Sequence, residues 1–166
     1  GLEVITKGKI FFKNQPIHIL KEDDLARYRS RYIGIIFQSF NLLPSMTALE
    51  NVILPSEISG KFMDYKKGIE LLKSVGLKNR MHHYPHQLSG GEQQRVAIAR
   101  SLILSPEILI ADEPTGNLDK KNSEEVMKLI FKLQKDFGST LILVTHDLSL
   151  ANLCDKKIKL DNGLII

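Results

Sequence analysis

Cysteine is almost missing from this sequence: Cys154 is the only one in 166 residues. A single thiol rules out an intrachain disulfide, so packing and hydrogen bonds must hold the fold. Cys154 itself reads as a small buried hydrophobe near the end of a helix, a commoner role for a lone thiol than reactivity. The scarcity also fits a reducing cytoplasm. Long apolar runs are missing too. No stretch approaches the roughly 18 uninterrupted apolar residues of a membrane span, and no charged-then-apolar signal segment opens the chain. Any role at a membrane would come through a partner. Blocks of like charge are absent as well. Although 23 Lys and Arg outnumber 19 Asp and Glu for a net charge of +4, the two signs are interspersed, which argues against a nucleic-acid arm or a polybasic membrane patch. Internal repeats and low-complexity stretches are not seen. What is present, 43% apolar and 25% charged residues, suits one globular domain with a substantial core.

Short β-branched runs alternate with helical patterns, which predicts an α/β domain with a largely parallel sheet. Gly8 to Phe12 reads as a strand, with a turn at Asn14-Gln15-Pro16. Asp23 to Tyr32 reads as a charged helix capped by Asp23 or Asp24, and Ile33 to Phe37 as a compact strand with Gln38 at its end. From Thr47 to about Tyr84 apolar residues recur at helical spacing, among them Ile69, Leu72, Val75 and Leu77, with breaks at Gly60 and Gly76. That texture predicts a helical insertion. Thereafter the pattern predicts helix (Glu92 to Leu104), strand (Ile108 to Ala111), helix (Ser123 to Phe137), strand (Thr140 to Thr145), helix (Leu148 to Cys154) and a last strand (Lys157 to Leu160). That strand turns at Asp161-Asn162-Gly163. Asn122-x-x-Glu125 reads as a helix cap.

Three motifs carry chemistry. In Leu88-Ser89-Gly90-Gly91-Glu92-Gln93-Gln94-Arg95, two glycines let backbone N–H groups approach an anion closely. The serine hydroxyl and the start of the next helix add a donor and a positive dipole end. A bare Ser-Gly-Gly would be an ordinary cap; the full run is more specific. In Ile108-Leu109-Ile110-Ala111-Asp112-Glu113, an apolar strand delivers two carboxylates to its C-terminal end, the edge at which open α/β sheets bind ligands. Asp112 suits Mg²⁺ as a hard oxygen donor, and Glu113 suits a water that must lose a proton. A solvated acidic strand end is the plainer alternative. In Thr140 to Asp147, His146 follows a second buried strand, and Gln38 follows a third. A lone histidine is usually a surface residue; three polar strand ends at one level make a site. His82, His83 and His86 cluster before the Ser-Gly-Gly run, but no further ligands stand at zinc spacing, so a hydrated loop is the better reading. Tyr28, Tyr32 and Tyr65 lack the aromatic-basic interleaving of single-strand binders.

Together these residues resemble the ATP-binding-cassette family over nearly the whole chain. Leu88 to Gln93 is similar to the family's signature sequence, and Ile108 to Glu113 to its Walker B strand with the catalytic glutamate. Asn117-Leu118-Asp119 resembles the D-loop, His146 the switch histidine and Gln38 the Q-loop glutamine. Phe37 to Pro44, Thr47 to Val52 and Glu113 to Asp119 resemble the lipoprotein-releasing and macrolide-export type. The resemblance implies a P-loop NTPase-like sheet over residues 1–166, with an inserted helical subdomain at about 41–88. It implies an ATPase using ATP and Mg²⁺, with Glu113, His146 and Gln38 catalytic, and Asp112 and Gln38 at the metal. Ser89, Gly90, Gly91, Gln93 and Asp119 would face nucleotide. It implies a head-to-tail dimer with a second cassette domain, integral membrane permease subunits as partners, no nucleic acid, and a peripheral place on the cytoplasmic face of the bacterial inner membrane.

One family motif is not here. None of the eleven glycines has another glycine five positions later, so the phosphate-cradling P-loop pattern G-x-x-x-x-G-K-[ST] is absent. Gly1-Leu2-Glu3 resembles the end of the helix that follows that loop in the family. Together with the missing initiator methionine this suggests an N-terminal truncation, and a chain inactive by itself. Two other functions compete with the transporter reading. A non-transport cassette ATPase acting on DNA or ribosomes would be expected to show coiled coils or a tandem cassette. A non-enzymatic interaction protein would be expected to start genuinely near residue 1.

Overall fold

The computed structural model describes residues 2–3, 5–60 and 64–166. A hairpin comes first, β1 (Phe11–Phe12) paired antiparallel with β2 (Gln15–Pro16). Its turn is Lys13-Asn14, both at positive φ, one step earlier than the sequence suggests; Gln15 and Pro16 already belong to the return strand. The expected helix end at Gly1-Leu2-Glu3 is not seen: Leu2 and Glu3 are irregular, and Gly1 lies outside the described residues.

Helix α1 (Glu22–Tyr32) leads directly into β3 (Ile33–Ile36). Lys21, not Asp23 or Asp24, stands at its N-cap. The two aspartates fall within the first turn, where they favour the positive end of the helix dipole. Two helices follow, α2 (Ala48–Ile58) and α3 (Tyr65–Ser74). Thr47 and Glu50 form a reciprocal capping box at the start of α2: the Thr47 N–H donates to Glu50 Oε2 at 2.7 Å and the Glu50 N–H to Thr47 Oγ1 at 3.3 Å. Gly60 and Gly76 sit just past the two helices at positive φ, the backbone that stops a helix at least strain in glycine. Then come α4 (Gly90–Leu102), β4 (Ile108–Asp112), α5 (Lys120–Phe137), β5 (Thr140–Val144) and α6 (Leu148–Ala151). The last pair is a second hairpin, β6 (Leu160–Asp161) with β7 (Leu164–Ile165), turning at Asn162-Gly163 as expected.

Strands β3, β4 and β5 form one parallel sheet in that order. The register pairs Ile36 with Ala111 and Ala111 with Leu143, so the three C-terminal ends lie level. Alternation fixes the faces: Ile36, Leu109 and Ala111 are fully buried, whereas Ile142 and Val144 on the opposite face are about half exposed. Gly34 marks where α4 crosses β3 most closely, since a Cβ there would overlap the Ser101 carbonyl oxygen and reach within 2.9 Å of the Pro106 ring. Among the described residues one apolar cluster joins sheet and helices, including Val52 of α2 and Leu72 of α3 with Ile98, Leu102, Met127 and Ile130. Each such side chain contributes roughly 1.5–3 kcal/mol when fully buried. Helices α2 and α3 thus share one core with α4 and the sheet.

Candidate nucleotide site at the sheet edge

Three side chains of interest emerge at one end of the sheet because three strands stop at the same level. Asp112 ends β4, opposite Val144 of β5. Its carboxylate is exposed, and among the described residues it meets no protein donor. Glu113 follows at φ +43, a conformation that a non-glycine residue adopts at a cost and that is concentrated at functional sites. Its N–H stays bonded to the Val144 carbonyl at 2.9 Å, which turns its side chain across the end of β5. There Glu113 Oε1 accepts from both the N–H and the ring Nδ1 of His146, each at 2.8 Å. An ionised carboxylate can only accept, so the imidazole carries its proton on Nδ1. Its Nε2 has no hydrogen-bond partner among the described residues, on a side chain that is 86% exposed.

Gln38 enters from β3. Its Nε2 donates to Asn117 Oδ1 at 3.5 Å and Asn117 Nδ2 donates back to the Gln38 carbonyl at 3.0 Å. Gly116 permits this approach, since a Cβ there would lie 2.5 Å from Gln38 Nε2. The structure thus brings Gln38 to Asn117, and Glu113 to His146. Asp112 stands beside them on the same edge.

Ser89, Gly90 and Gly91 form a separate group at the start of α4. Ser89 is the N-cap, its Oγ accepting from the Glu92 N–H at 3.3 Å while Glu92 Oε2 accepts from the Ser89 N–H at 2.8 Å. These bonds, the backbone one first, hold the Glu92 carboxyl below the usual range. Gly90 and Gly91 occupy the first turn, where backbone N–H groups have no partner within the helix. A Cβ at Gly91 would press on Asn122 Oδ1 at 3.0 Å. Gln93 turns back and donates to the Leu88 carbonyl at 3.1 Å. No hydrogen bond joins this group to Gln38, Asp112, Glu113 or His146 among the described residues.

Asp119 caps α5: its carboxylate accepts from the Asn122 N–H at 3.0 Å and from Asn122 Nδ2 at 2.5 Å. The Asn122 backbone bond, then its side chain, lowers the Asp119 pKa. The helix therefore starts at Lys120 instead of Ser123. Asn122 is the third residue of its first turn and not a cap, and Glu125 is drawn to Arg95 at 2.8 Å. The histidine cluster forms no metal group: among the described residues no set of three or more His, Cys, Asp or Glu could hold an ion. His86 stacks on Tyr84, and His83 Nε2 lies 3.1 Å from Arg80.

Three residues that the sequence reading passed over matter to this edge. Asn51 is fully buried and ties the loop before α2, donating to the Leu43, Met46 and Thr47 carbonyls. Gln94, also fully buried, donates to the carbonyls of Phe37 and Pro114. Arg100 donates to the carbonyls of Phe40, at 2.6 Å, and Asn41, and its burial lowers its pKa. The available signal was positional. Gln94 stands at i+3 from Gly91 and i−4 from Ile98, on the buried stripe of α4, where a polar residue is out of place unless something needs it.

This geometry suits magnesium and a nucleotide. Asp112 and the side-chain oxygen of Gln38 are hard donors without protein partners among the described residues. Magnesium is commonly held by one or two such groups, completing its shell with water and phosphate. Comparison with known proteins bears on the family. The ABC transporter family model matches residues 1–116. The chain is 46% identical over 165 residues to the uncharacterized ABC transporter ATP-binding protein YbbA of Escherichia coli (strain K12), covering 98% of this chain and 72% of that protein. It is 47% identical to the lipoprotein-releasing system ATP-binding protein LolD of Treponema denticola, covering 98% and 73%. A solved dimeric ATP-binding cassette in a post-hydrolysis state, bound to ADP and Pi, superposes with a TM-score of 0.87 at 41% identity, covering 99% of this chain and 73% of that one. An ordered set of motifs, a level sheet edge and relatives matched along almost the full length leave one assignment: the chain belongs to the ABC transporter family.

Proposed function

We propose that this chain is the ATP-hydrolysing subunit of a transporter of the export or lipoprotein-release type, acting on a separate membrane permease. The observation that carries the reading is the Glu113–His146 pair at 2.8 Å, held level with Asp112 and Gln38 by three parallel strands. Bound magnesium would neutralise charge on the phosphates. Asp112 and Gln38 would hold it. Glu113, with one oxygen fixed by His146, keeps the other for orienting the attacking water and receiving its proton. His146 would meet the terminal phosphate through Nε2 as a donor, which requires the ring to carry a proton on both nitrogens. At the other end of α4, Ser89 and the N–H groups of Gly90 and Gly91 present an anion-binding helix start. In this reading they close on nucleotide held by a second cassette packed head to tail, with Asp119 at that contact.

No helix among the described residues is long and apolar enough to cross a membrane. The permease would thus hold the subunit peripherally, at the cytoplasmic face of a bacterial inner membrane. Gln38 begins the segment that passes into the helical insertion (about residues 41–88), which makes it the point where hydrolysis couples to the permease. Because these 166 residues contain no phosphate cradle of the G-x-x-x-x-G-K-[ST] kind, the chain by itself should bind ATP poorly; micromolar affinity in a titration would overturn that. The deciding experiment is ATP hydrolysis by the full gene product copurified with its permease. Turnover that vanishes in Glu113→Gln supports the proposal, and turnover indifferent to that change refutes it.

A further inference from the structure

Helix α4 touches the Gln38 segment at two points, and Gln94 is the inner one. Its Nε2 lies 2.6 Å from the Pro114 carbonyl and 3.4 Å from the Phe37 carbonyl. Phe37 immediately precedes Gln38, and Pro114 immediately follows Glu113. Both neighbours are acceptors, so the amide must turn its NH₂ group toward them; the orientation is dictated by the network. Its Oε1 then points the other way, where it is buried without any hydrogen-bond partner among the described residues. An orphaned buried acceptor costs roughly 1–3 kcal/mol, so what favours a glutamine here lies in the two donors on the other side of the amide. A side chain with two donors on one nitrogen can span two separate backbone segments.

The surrounding bonds show what that span secures. Every carbonyl from Phe37 to Asn41 has a donor. Asn117 serves Gln38, the Asn41 N–H serves Ser39 at 2.5 Å, and Arg100 serves Phe40 and Asn41. Phe40 and Asn41 sit at φ +59 and +50, a backbone that needs such anchoring. Gln94 and Arg100 are both on α4, so the helix grips the segment at both ends. Only Gln94 also reaches the Glu113 turn.

We infer that Gln94 is a positioning residue, which ties the backbone before Gln38 and the backbone after Glu113 to helix α4. The inference rests on the proposed roles of Gln38 and Glu113, but its first test does not require them. In Gln94→Met, which keeps the length and removes the donors, amide hydrogen exchange should quicken by about tenfold or more at both Phe40 and Gly116. Exchange in the interior of α5, at Ile130, should stay within about twofold of wild type by the same measure of local opening. Acceleration at only one segment, at neither, or uniformly through the fold overturns the inference. Should the variant not fold, the wild-type side chain decides: the Gln94 amide protons should exchange about tenfold or more slowly than those of exposed Gln87, and equal rates overturn it.

The kinetic arm uses the full gene product. Gln94→Met should lower kcat for ATP by roughly tenfold to a hundredfold, as small misplacements of catalytic groups do, with KM within about twofold. An unchanged kcat alongside loosened segments overturns the coupling. If the wild type hydrolyses no ATP, the proposed function fails, and the exchange result still judges this inference.

Discussion

Glu113 accepts two hydrogen bonds from a single residue, the backbone N–H and the ring Nδ1 of His146, each at 2.8 Å. The pair ties the ends of β4 and β5 together and leaves one carboxylate oxygen outward. Geometry of this kind separates chemistry from folding, because the two substitutions that test it should leave the fold intact. Glu113→Gln retains an oxygen that can accept both bonds. It should keep the thermal midpoint within a few degrees, a range equal to about 1 kcal/mol in a chain of this size. ATP turnover by the full gene product should nevertheless fall by roughly 10²-fold or more, the usual worth of a general base. His146→Ala keeps the backbone bond, loses the ring bond and should show a comparable loss of turnover. A steady-state assay beside a thermal melt reads both.

Asp112 presents the opposite case, an exposed carboxylate without a protein partner among the described residues. Asp112→Asn should therefore change stability by no more than about 0.5 kcal/mol, as surface substitutions usually do. The magnesium requirement should change instead. In the full gene product, the magnesium concentration for half-maximal hydrolysis should rise, because a neutral amide is a poorer ligand for a hard cation. A magnesium titration showing no shift would remove Asp112 from the metal.

Capping predicts an acid response. Glu92 and Glu50 accept from the backbone N–H groups of Ser89 and Thr47, and those bonds are the main reason both pKa values are lowered. A carboxyl whose folded value lies below its unfolded value of about 4.3 stabilises the fold fully above that pH and ceases to do so as pH falls through the folded value. The thermal midpoint of wild type should thus exceed that of Glu92→Gln at pH 7, and the difference should shrink as pH falls below about 4.3 and through the lowered folded value. Ser89→Ala removes the serine half of the same box. It should cost about 1 kcal/mol, a typical cap, at neutral pH. Melting curves across the pH range test both.

Much of this arrangement was legible because the sequence signals it locally. Ile33 to Ile36, Ile108 to Asp112 and Thr140 to Val144 are runs rich in β-branched residues, and each ends on a polar residue or meets one within two positions. Gln38, Asp112, Glu113 and His146 could therefore be placed at one edge before any coordinates. What escaped was everything decided by approach between segments distant in sequence. Asp119 and Asn122 are both plausible caps by type; only the position of α5 against Gly91 assigns the cap to Asp119 and turns Asn122 back toward it. Likewise Asp23 and Asp24 look like caps, yet α1 begins earlier, at Glu22, and takes them into its first turn. Arg100 reads as an ordinary residue of the helix and Gln94 only as part of the Ser-Gly-Gly run, since their partners, the carbonyls of residues 37, 40, 41 and 114, carry no side-chain signature at all.

Two glycines offer the sharpest separation of stability from function. At Gly34 a Cβ would overlap the Ser101 carbonyl oxygen of α4 and lie 2.9 Å from the Pro106 ring. Neither neighbour is the free end of a flexible chain, so Gly34→Ala must push α4 from β3, and overpacking of this sort costs about 1–3 kcal/mol. At Gly116 a Cβ would lie 2.5 Å from Gln38 Nε2. That neighbour is a side-chain tip on the molecular surface, and it can swing away at little cost. Gly116→Ala should therefore leave the denaturation midpoint nearly unchanged while displacing Gln38 from Asn117. In the full gene product, hydrolysis should fall by roughly tenfold to a hundredfold through that displacement alone. If instead Gly116→Ala destabilises as much as Gly34→Ala, the turn is structural and Gln38 does not sit where the chemistry needs it.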